Sequence, residues 1–196
     1  MKAARWFALA LVFFVCACSS SSGPGSHTVS GRGLSKTQPD GEATRRVVLI
    51  YPYTHEKLDV VYYHDGAYDP RAMKQIDNLM RDRHANVAGR IDPELIDYMV
   101  DIRTRLDLPP PAAFLVLSGY RTPETNARLA VTNGNVAKES LHMHGWAVDF
   151  RMEGVKGSAI CEIAKTMQRG GVAYYPEDNH VHVDLGNIRT WHDPAS

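Results

Sequence analysis

From residue 45 onward, hydrophobic and polar positions fall into short runs that predict strands and helices. Two runs rich in β-branched and aromatic residues, at 45–53 and 58–63, flank a polar turn and predict a β-hairpin. Apolar residues at helical spacing predict a helix over 70–83. A second helix is predicted to begin at Asp92-Pro93, a capping residue followed by proline, and to be stopped by the prolines at 109–111.

The same patterns predict the rest of the fold. Strands are expected at 114–117, 146–151, 172–175 and 180–185, and helices at 123–131 and 157–169. Strands and helices alternate without a regular strand–helix–strand repeat, which favours an α+β protein. We therefore expect one α+β domain over residues 45–196, with a small antiparallel sheet flanked by helices.

Residues 1–18 have the pattern of an export signal. Lys2 and Arg5 precede an apolar run over 6–17, which is too short to span a bilayer, since spanning needs about 20 residues. The run ends in Val-Cys-Ala-Cys at 15–18, which resembles a bacterial lipobox with Cys18 as the residue that receives lipid. A cleaved signal that leaves Cys18 unmodified is the alternative.

Residues 19–44 are rich in Ser, Gly and Thr and show almost no apolar periodicity. This composition predicts a flexible linker between an envelope anchor and the folded domain. The protein is therefore expected to be exported to the periplasm or cell envelope. If Cys18 is lipidated, we expect the outer membrane, because Ser19 is not the aspartate associated with retention in the inner membrane.

Charge and cysteine content narrow the function classes. The 196 residues carry 22 Lys and Arg against 22 Asp and Glu, so the formal net charge is zero. This balance argues against nucleic acid as a partner and against an acidic solvating chain. With Cys16 and Cys18 in the predicted signal, Cys161 alone remains, and no internal disulfide is expected. Cys161 lies in an apolar helical pattern that is typical of a small buried hydrophobe.

Histidines are concentrated in the last third of the chain, beside two aspartates. His142 precedes Asp149 by seven residues, and His180, His182 and Asp184 alternate along one predicted strand. Strand alternation places those three on one face and the two intervening valines on the core face. Two imidazoles and a carboxylate suit Zn²⁺, with a fourth position left for water. A polar surface strand with a nearby pair of loop histidines is the alternative that spacing alone leaves open.

Several short motifs follow one another in a fixed order. They are Ser-Gly-Tyr-Arg-Thr at 118–122, Ser-x-His-x-x-Gly-x-Ala-x-Asp at 140–149, Gly-Gly-Val-x-Tyr-Tyr-Pro at 170–176, Val-His-Val-Asp-x-Gly at 181–186 and Arg-x-Trp at 189–191. Together they resemble the murein endopeptidase K-like branch of the D-Ala-D-Ala metallopeptidases, a group that shares the hedgehog fold. The resemblance covers roughly residues 45–191.

The resemblance implies one zinc ion per chain, with His142, Asp149 and His182 as its ligands. It places Arg121 near the substrate carbonyl or carboxylate, where a guanidinium offers paired N–H donors. It implies that Ser140 fixes a loop and could also touch substrate. Two aromatic residues of the motifs, Tyr174 and Trp191, are interpreted as wall or core residues, with Tyr174 also a candidate substrate contact.

The motifs do not fix the residue that accepts the proton. The D-Ala-D-Ala dipeptidases have a glutamate three residues before the last histidine ligand, but this position holds Asn179, whose amide cannot take a proton. Asp184 is the first candidate, because it lies on the same predicted strand face as His182. His180 is the second candidate, and Asp178 is a third.

The resemblance therefore implies an exported zinc metallopeptidase that hydrolyses peptide cross-links of peptidoglycan, with a zinc-bound water attacking the scissile carbonyl. Arg121 would stabilise the substrate or the developing oxyanion. The expected cross-link involves diaminopimelate and a D-centre, and the expected state is a monomer with peptidoglycan as its partner. Two alternatives are a D,D-carboxypeptidase acting on stem peptides and a catalytically inactive wall-binding lipoprotein, which Asn179 would favour.

Overall fold

An eight-stranded sheet forms the centre of the protein. The computed structural model describes residues 44–132 and 136–192, which lie in the compact unit Pro39–Ser196. The predicted signal, Cys18 and the linker up to residue 43 lie outside the described residues. None of the described helices combines the length and the apolar character that a membrane-spanning helix needs.

The elements follow the predicted order, with three additions. The strands are β1 (Thr44–Tyr51), β2 (Glu56–His64), β3 (Ala67–Tyr68), β4 (Phe114–Ser118), β5 (Ala147–Met152), β6 (Gly171–Tyr175), β7 (His180–Asp184) and β8 (Arg189–His192). The helices are α1 (Pro70–Leu79), α2 (Pro93–Arg105), α3 (Pro123–Thr132) and α4 (Gly157–Met167), with a short 3-10 helix at Leu141–His144. The strands β3 and β8 and the 3-10 helix are the elements that the sequence pattern did not predict.

The strands are ordered β3-β2-β1-β4-β5-β7-β6-β8 across the sheet. The pairs β1–β4 and β6–β8 are parallel, and the other neighbouring strands are antiparallel. The α+β class and the single domain are confirmed, and the sheet is larger than expected. The central strands β4, β5 and β7 carry the candidate site.

One face of the central strands forms the hydrophobic core. Val181 and Val183 of β7 are fully buried, as strand alternation predicted. Phe150 of β5 pairs in register with Val181, and its ring makes an edge contact with Phe114 of β4 at a centroid distance of 5.3 Å. Cys161 on α4 is also buried, as expected for a small hydrophobe. The residues between these positions along β5 and β7 therefore point to the opposite face.

The helix α1 is shorter than predicted because the chain turns at Asp82. The helix ends at Leu79 instead of residue 83. The carboxylate of Asp82 accepts hydrogen bonds from the backbone N–H groups of His84 and Ala85, at 2.9 and 3.0 Å. This local bonding gives the backbone an alternative to further helical turns. Helix α2 begins as predicted, with Asp92 accepting from the backbone of the first turn and proline at the first position.

Candidate active site

Three side chains from separate parts of the chain meet on the sheet face opposite the core. One ligand atom from each of His142, Asp149 and His182 lies within 4.8 Å of the other two. Nε2 of His142 is 3.4 Å from Oδ2 of Asp149, and Nδ1 of His182 is 2.8 Å from Oδ1 of the same carboxylate. The structure thus brings together the three residues that the motifs singled out.

The register of the sheet positions two of the three. Asp149 on β5 lies directly opposite His182 on β7, and it is also paired with Ser118 at the end of β4. Directly opposed residues of an antiparallel pair project their side chains from the same face. The carboxylate and the imidazole are therefore held by backbone pairing and not by a flexible loop.

The 3-10 helix positions the third residue, His142. The hydroxyl of Ser140 accepts a hydrogen bond from the backbone N–H of His142 at 3.4 Å, at the start of this turn. The turn ends at Gly145, which has a φ of 68°. A Cβ at Gly145 would lie 1.9 Å from the carbonyl oxygen of Arg90, so only glycine fits this position.

The second ring nitrogen of each histidine is held by an acceptor. Nδ1 of His142 is 2.7 Å from the carbonyl oxygen of Gly119, which can only accept, so this nitrogen carries the hydrogen. Nε2 of His182 is 3.0 Å from Oδ2 of Asp184. These contacts orient Nε2 of His142 and Nδ1 of His182 towards the carboxylate of Asp149, as the outer partners of metal-bound histidines do. Two imidazole nitrogens and a carboxylate are a donor set that fits a metal ion.

The pKa shifts of the three residues favour the binding of a cation. Burial lowers the pKa of His142, and the nearby Asp149 carboxylate opposes this only in part. Burial also disfavours charge on His182, but its hydrogen bonds to Asp149 and Asp184 outweigh burial and raise its pKa to about 9. Burial would raise the pKa of Asp149, yet the two histidines hold that pKa well below its usual range. A bound cation would take the place of the proton that these carboxylates hold on His182.

Arg121 joins the cluster from the loop after β4. Its Nε donates to the hydroxyl of Ser118 at 2.9 Å, and its Nη2 donates to Oδ2 of Asp149 at 2.9 Å. Its backbone N–H donates to the carbonyl oxygen of His142 at 3.2 Å. The guanidinium is therefore fixed beside the carboxylate, with 16% of the side chain exposed.

Asp184 is buried behind His182, with no exposed surface. Its carboxylate accepts from the backbone N–H groups of Gly171 and Gly186, at 2.9 and 2.8 Å. It also accepts from Nη1 and Nη2 of Arg189 at 3.1 and 2.6 Å, in addition to His182. Burial would raise the pKa of Asp184, but these donors, His182 first, hold it far below its usual range. A carboxylate with this many donors is a weak proton acceptor.

His180, the second candidate acceptor, has different surroundings. Its side chain is 16% exposed and lines the same cleft as the cluster. Its Nδ1 makes a short hydrogen bond with the carboxylate of Asp178. Its ring is stacked on that of Tyr175, with a centroid distance of 4.4 Å and an interplanar angle of 9°. The third candidate, Asp178, therefore contacts the second one directly.

Tyr174 and Asn179 have structural positions away from the cluster. Tyr174 was a candidate substrate contact, but it does not line the cleft; it packs against the core, and its hydroxyl is 3.4 Å from Oδ1 of Asn179. Strand alternation in β6 instead turns Tyr175 towards the cleft. Asn179 has a φ of 57° and accepts a hydrogen bond from the backbone N–H of Gly157 at 2.7 Å. It therefore supports the start of α4 and the turn before β7.

The cluster lies in a cleft of about 750 Å³. Trp191 forms part of its wall, and the indole lies 5.1 Å from the ring of His182. The cleft is lined by both signs of charge, including Arg121, Arg189, Glu139, Glu177 and Asp178. No role was predicted from the sequence for Tyr175 or Arg189, although they lie in the motifs at 170–176 and 189–191.

Known proteins resemble this chain over the folded part. Residues 40–191 match the family described as peptidoglycan L,D-endopeptidase MepK. The probable peptidoglycan L,D-endopeptidase MepK of Haemophilus influenzae is 38% identical over 138 residues, which cover 70% of this chain and 74% of that protein. The peptidoglycan L,D-endopeptidase MepK of Escherichia coli K12 is 35% identical over 147 residues, which cover 75% of this chain and 80% of that protein.

Proposed function

Because the chain belongs to the family of peptidoglycan L,D-endopeptidase MepK, we propose that it is a zinc-dependent endopeptidase that hydrolyses L,D peptide cross-links of peptidoglycan. The observation that carries this proposal is the meeting of His142, Asp149 and His182 in one cleft. An L,D bond joins the carbonyl of an L-centre to the amine of a D-centre. Cross-links between diaminopimelate residues contain such bonds.

The zinc ion would be held by Nε2 of His142, a carboxylate oxygen of Asp149 and Nδ1 of His182. Bound zinc supplies a Lewis acid that polarises a carbonyl and lowers the pKa of a coordinated water. The carbonyl of Gly119 and the carboxylate of Asp184 would keep the two histidine rings in the orientation that binding requires. Asp184 acts in this proposal as a positioning residue for His182.

His180 is the proton acceptor in this proposal. A carboxylate accepts, so the hydrogen bond to Asp178 favours the tautomer with the ring hydrogen on Nδ1. Nε2, which makes no hydrogen bond to the described residues, would then take a proton. The stack on Tyr175 restricts rotation of the ring, which a general base needs for a defined direction of transfer. Nε2 of His180 would then return the proton to the leaving amine. Asn179 takes no part in the chemistry, because its amide is used to hold α4.

Arg121 would bind the substrate carbonyl. Two of its nitrogens are used by Ser118 and Asp149, and its Nη1 donates no hydrogen bond to the described residues. These N–H groups are available to an oxygen on which negative charge develops. The position of the guanidinium is set before substrate arrives, so little reorganisation is needed during the reaction.

The cellular location is proposed from the sequence. A signal over residues 1–18, a lipid on Cys18 and a linker over 19–44 would hold a monomeric domain against the polymer in the cell envelope. Metabolic labelling with a palmitate analogue tests the anchor. Label is expected on the full chain and not on the Cys18→Ala variant, and membrane fractions should lose that variant.

The substrate proposal is tested with defined muropeptides and mass spectrometry of the products. The zinc-loaded protein is incubated separately with L,D-linked dimers, D,D-linked dimers and uncross-linked stem peptides. Conversion of L,D-linked dimers to monomers is the expected result. Removal of a terminal D-alanine from stem peptides alone would instead identify a D,D-carboxypeptidase. Binding to sacculi with no product would identify an inactive wall-binding protein.

A further inference from the structure

We propose that Arg189 binds a free carboxylate of the substrate peptide beside the scissile bond and so selects cross-links that carry one. The inference rests on the proposed function, since it assigns a residue of the same cleft to substrate selection. Arg189 belongs to the Arg-x-Trp motif, to which the zinc chemistry gives no role.

Arg189 is placed on the cleft wall with part of its side chain open to solvent. It is the first residue of β8, and 44% of its side chain is exposed. The guanidinium lies over the indole of Trp191, 4.9 Å from its centroid. The indole Nε1 in turn donates to the hydroxyl of Tyr175 at 3.3 Å. The guanidinium plane is therefore supported from one side by residues of the cleft.

The hydrogen bonds of Arg189 leave one edge of the guanidinium available. Nη1 and Nη2 each donate to one oxygen of Asp184, and Nη1 also donates to the carbonyl oxygen of Asn187 at 3.1 Å. Nε and the second hydrogen of Nη2 donate to no group among the described residues. Those two N–H groups form the side edge of a guanidinium, whose spacing matches the two oxygens of a carboxylate.

The surroundings of the Asp184–Arg189 pair are shaped to hold it. A Cβ at Gly171 would lie 2.4 Å from Oδ2 of Asp184 and 2.6 Å from Nη1 of Arg189. A Cβ at Gly186 would lie 3.0 Å from the same Nη1. These two glycines of the motifs therefore leave the space that the pair occupies.

The carboxylate of Asp184 has hydrogen-bond donors for both of its oxygens even without Arg189. The carboxylate already accepts from two backbone N–H groups and from His182. Arg189 adds a positive charge, and about half of its side chain is exposed to the cleft. An arginine that served only to neutralise Asp184 would not need that exposure. Asp184 fixes the arginine at one side while it orients His182 at the other.

The substrate places a carboxylate where this arginine can reach it. In an L,D cross-link between diaminopimelate residues, the D-centre that supplies the scissile amine also carries a carboxylate on the same carbon. Arg189 is separated from the metal-binding His182 by a single side chain, that of Asp184. Glu139, Glu177 and Asp178 would repel a carboxylate elsewhere along the cleft.

The experiment compares two L,D-linked dimers that differ only at this carboxylate, which is free in one and a carboxamide in the other. The wild-type protein is expected to show a kcat/KM for the free acid that is roughly ten- to hundredfold higher, since the amide cannot accept a bidentate charge-assisted pair. In Arg189→Gln and Arg189→Lys variants, the preference should fall to within about threefold, because lysine lacks the planar fork.

Arg46→Gln is the matched control. Arg46 has a similar exposed fraction, 47%, and donates from Nε and Nη2 to the two oxygens of Asp59, but it lies on β1 and does not line the cleft. Its substitution should leave the acid-to-amide ratio unchanged. Thermal unfolding shows whether each Arg189 variant is folded. If neither variant folds, the ratio of kcat/KM for the acid and the amide in the wild-type protein still tests the inference.

A binding measurement separates this inference from the proposed function. Isothermal titration of metal-free wild-type protein with the same two dimers removes any direct contact of the carboxylate with zinc. Preferential binding of the acid by metal-free protein, together with no cleavage of either dimer by zinc-loaded protein, would contradict the proposed activity and support the role of Arg189. Equal cleavage and equal binding of acid and amide, or an unchanged preference in a folded Arg189→Gln variant, would overturn the inference.

Discussion

Asp149 lies directly opposite His182 in the antiparallel pairing of β5 and β7, and its Oδ1 is 2.8 Å from Nδ1 of that histidine. Both residues are therefore fixed by the hydrogen-bonded sheet, while His142 reaches them from a short 3-10 helix. A site built on paired strands holds its donors in a defined geometry before any ligand binds.

Asp184→Asn should weaken zinc binding about ten- to hundredfold. Asp184 accepts from Nε2 of His182, and outer partners of this kind set the orientation and basicity of a metal-binding histidine. Competition with a chromogenic chelator measures the zinc Kd. If Asp184 were the general base instead, kcat would fall while the zinc Kd stayed unchanged, which would contradict its assignment as a positioning residue.

His180→Ala should lower kcat by about a hundredfold or more without loss of zinc. The imidazole is the proposed proton acceptor, and general base catalysis is commonly worth 10²–10⁴ in rate. Rates on L,D-linked dimers and zinc content by mass spectrometry are measured on the same sample. Asp178→Asn is the graded control, because it keeps the imidazole and alters only the contact at Nδ1. A rate for His180→Ala close to that of the wild type would exclude the residue as the base.

Gly145→Ala should unfold or distort the loop that carries His142. The residue has a φ of 68°, and its Cβ would lie 1.9 Å from the carbonyl oxygen of Arg90. We expect a loss of about 2 kcal/mol or more in the free energy of unfolding and a loss of zinc binding. Gly154→Ala is the matched control, because its φ of 73° is similar and no atom lies within 4 Å of its Cβ. Equal losses for the two variants would show that backbone conformation alone, and not the contact with Arg90, requires glycine.

The carboxylate of Asp82 holds the loop that contains Arg121. Its ionisation should make the free energy of unfolding depend on pH in the acid range. The carboxylate accepts from the backbone N–H and the hydroxyl of Thr122, at 2.8 and 2.9 Å. Burial would raise its pKa, but hydrogen bonds from Thr122 and Ala85 dominate and lower the pKa from 3.8 to about 2. Because the folded pKa is below the unfolded one, the stabilisation is complete above the unfolded pKa and is lost as the pH falls through the folded pKa.

Urea unfolding of Asp82→Asn tests this expectation. At pH 7 the variant should be less stable than the wild type by about 2 kcal/mol, the value that corresponds to the pKa difference. The difference should shrink as the pH is lowered from about 4 towards 2. Asp59→Asn, which removes an exposed ion pair with Arg46, should cost less than about 1 kcal/mol. A difference for Asp82→Asn that does not change with pH would show that ionisation of Asp82 is not the source of the stabilisation.

Local patterns predicted most of the fold, because most elements bury one clear face. The alternation at Val181 and Val183 was enough to orient β7, and Asp92-Pro93 was enough to start α2. The strand β8 was missed because Arg189, Thr190 and Trp191 show no apolar alternation, and its pairing with β6 comes from residues distant in the chain. The early end of α1 depends on hydrogen bonds of a single carboxylate, which no periodicity reveals.

The sequence was sufficient to predict which residues form the site, but it was less informative about the role of each residue. Asp184 and His180 occupy the same predicted strand face, so alternation could not distinguish a fully buried carboxylate from a partly exposed imidazole. What distinguishes them is the set of donors around Asp184, which comes from Gly171, Gly186 and Arg189. Alternation in β6 could have identified Tyr175 in place of Tyr174, but only once the register with β7 was known.

A zinc titration of cleavage tests whether the activity depends on metal bound by His142, Asp149 and His182. Metal is removed from the full chain with a chelator, zinc is added back in steps, and L,D-linked dimers are assayed by mass at each step. Cleavage is predicted to be absent at the start and to rise until one zinc is bound per chain. Asp149→Asn should bind little zinc and cleave nothing, while Glu139→Gln, at the cleft but outside the cluster, should titrate like the wild type. Undiminished cleavage by metal-free protein, or by Asp149→Asn, would exclude zinc catalysis at this cluster.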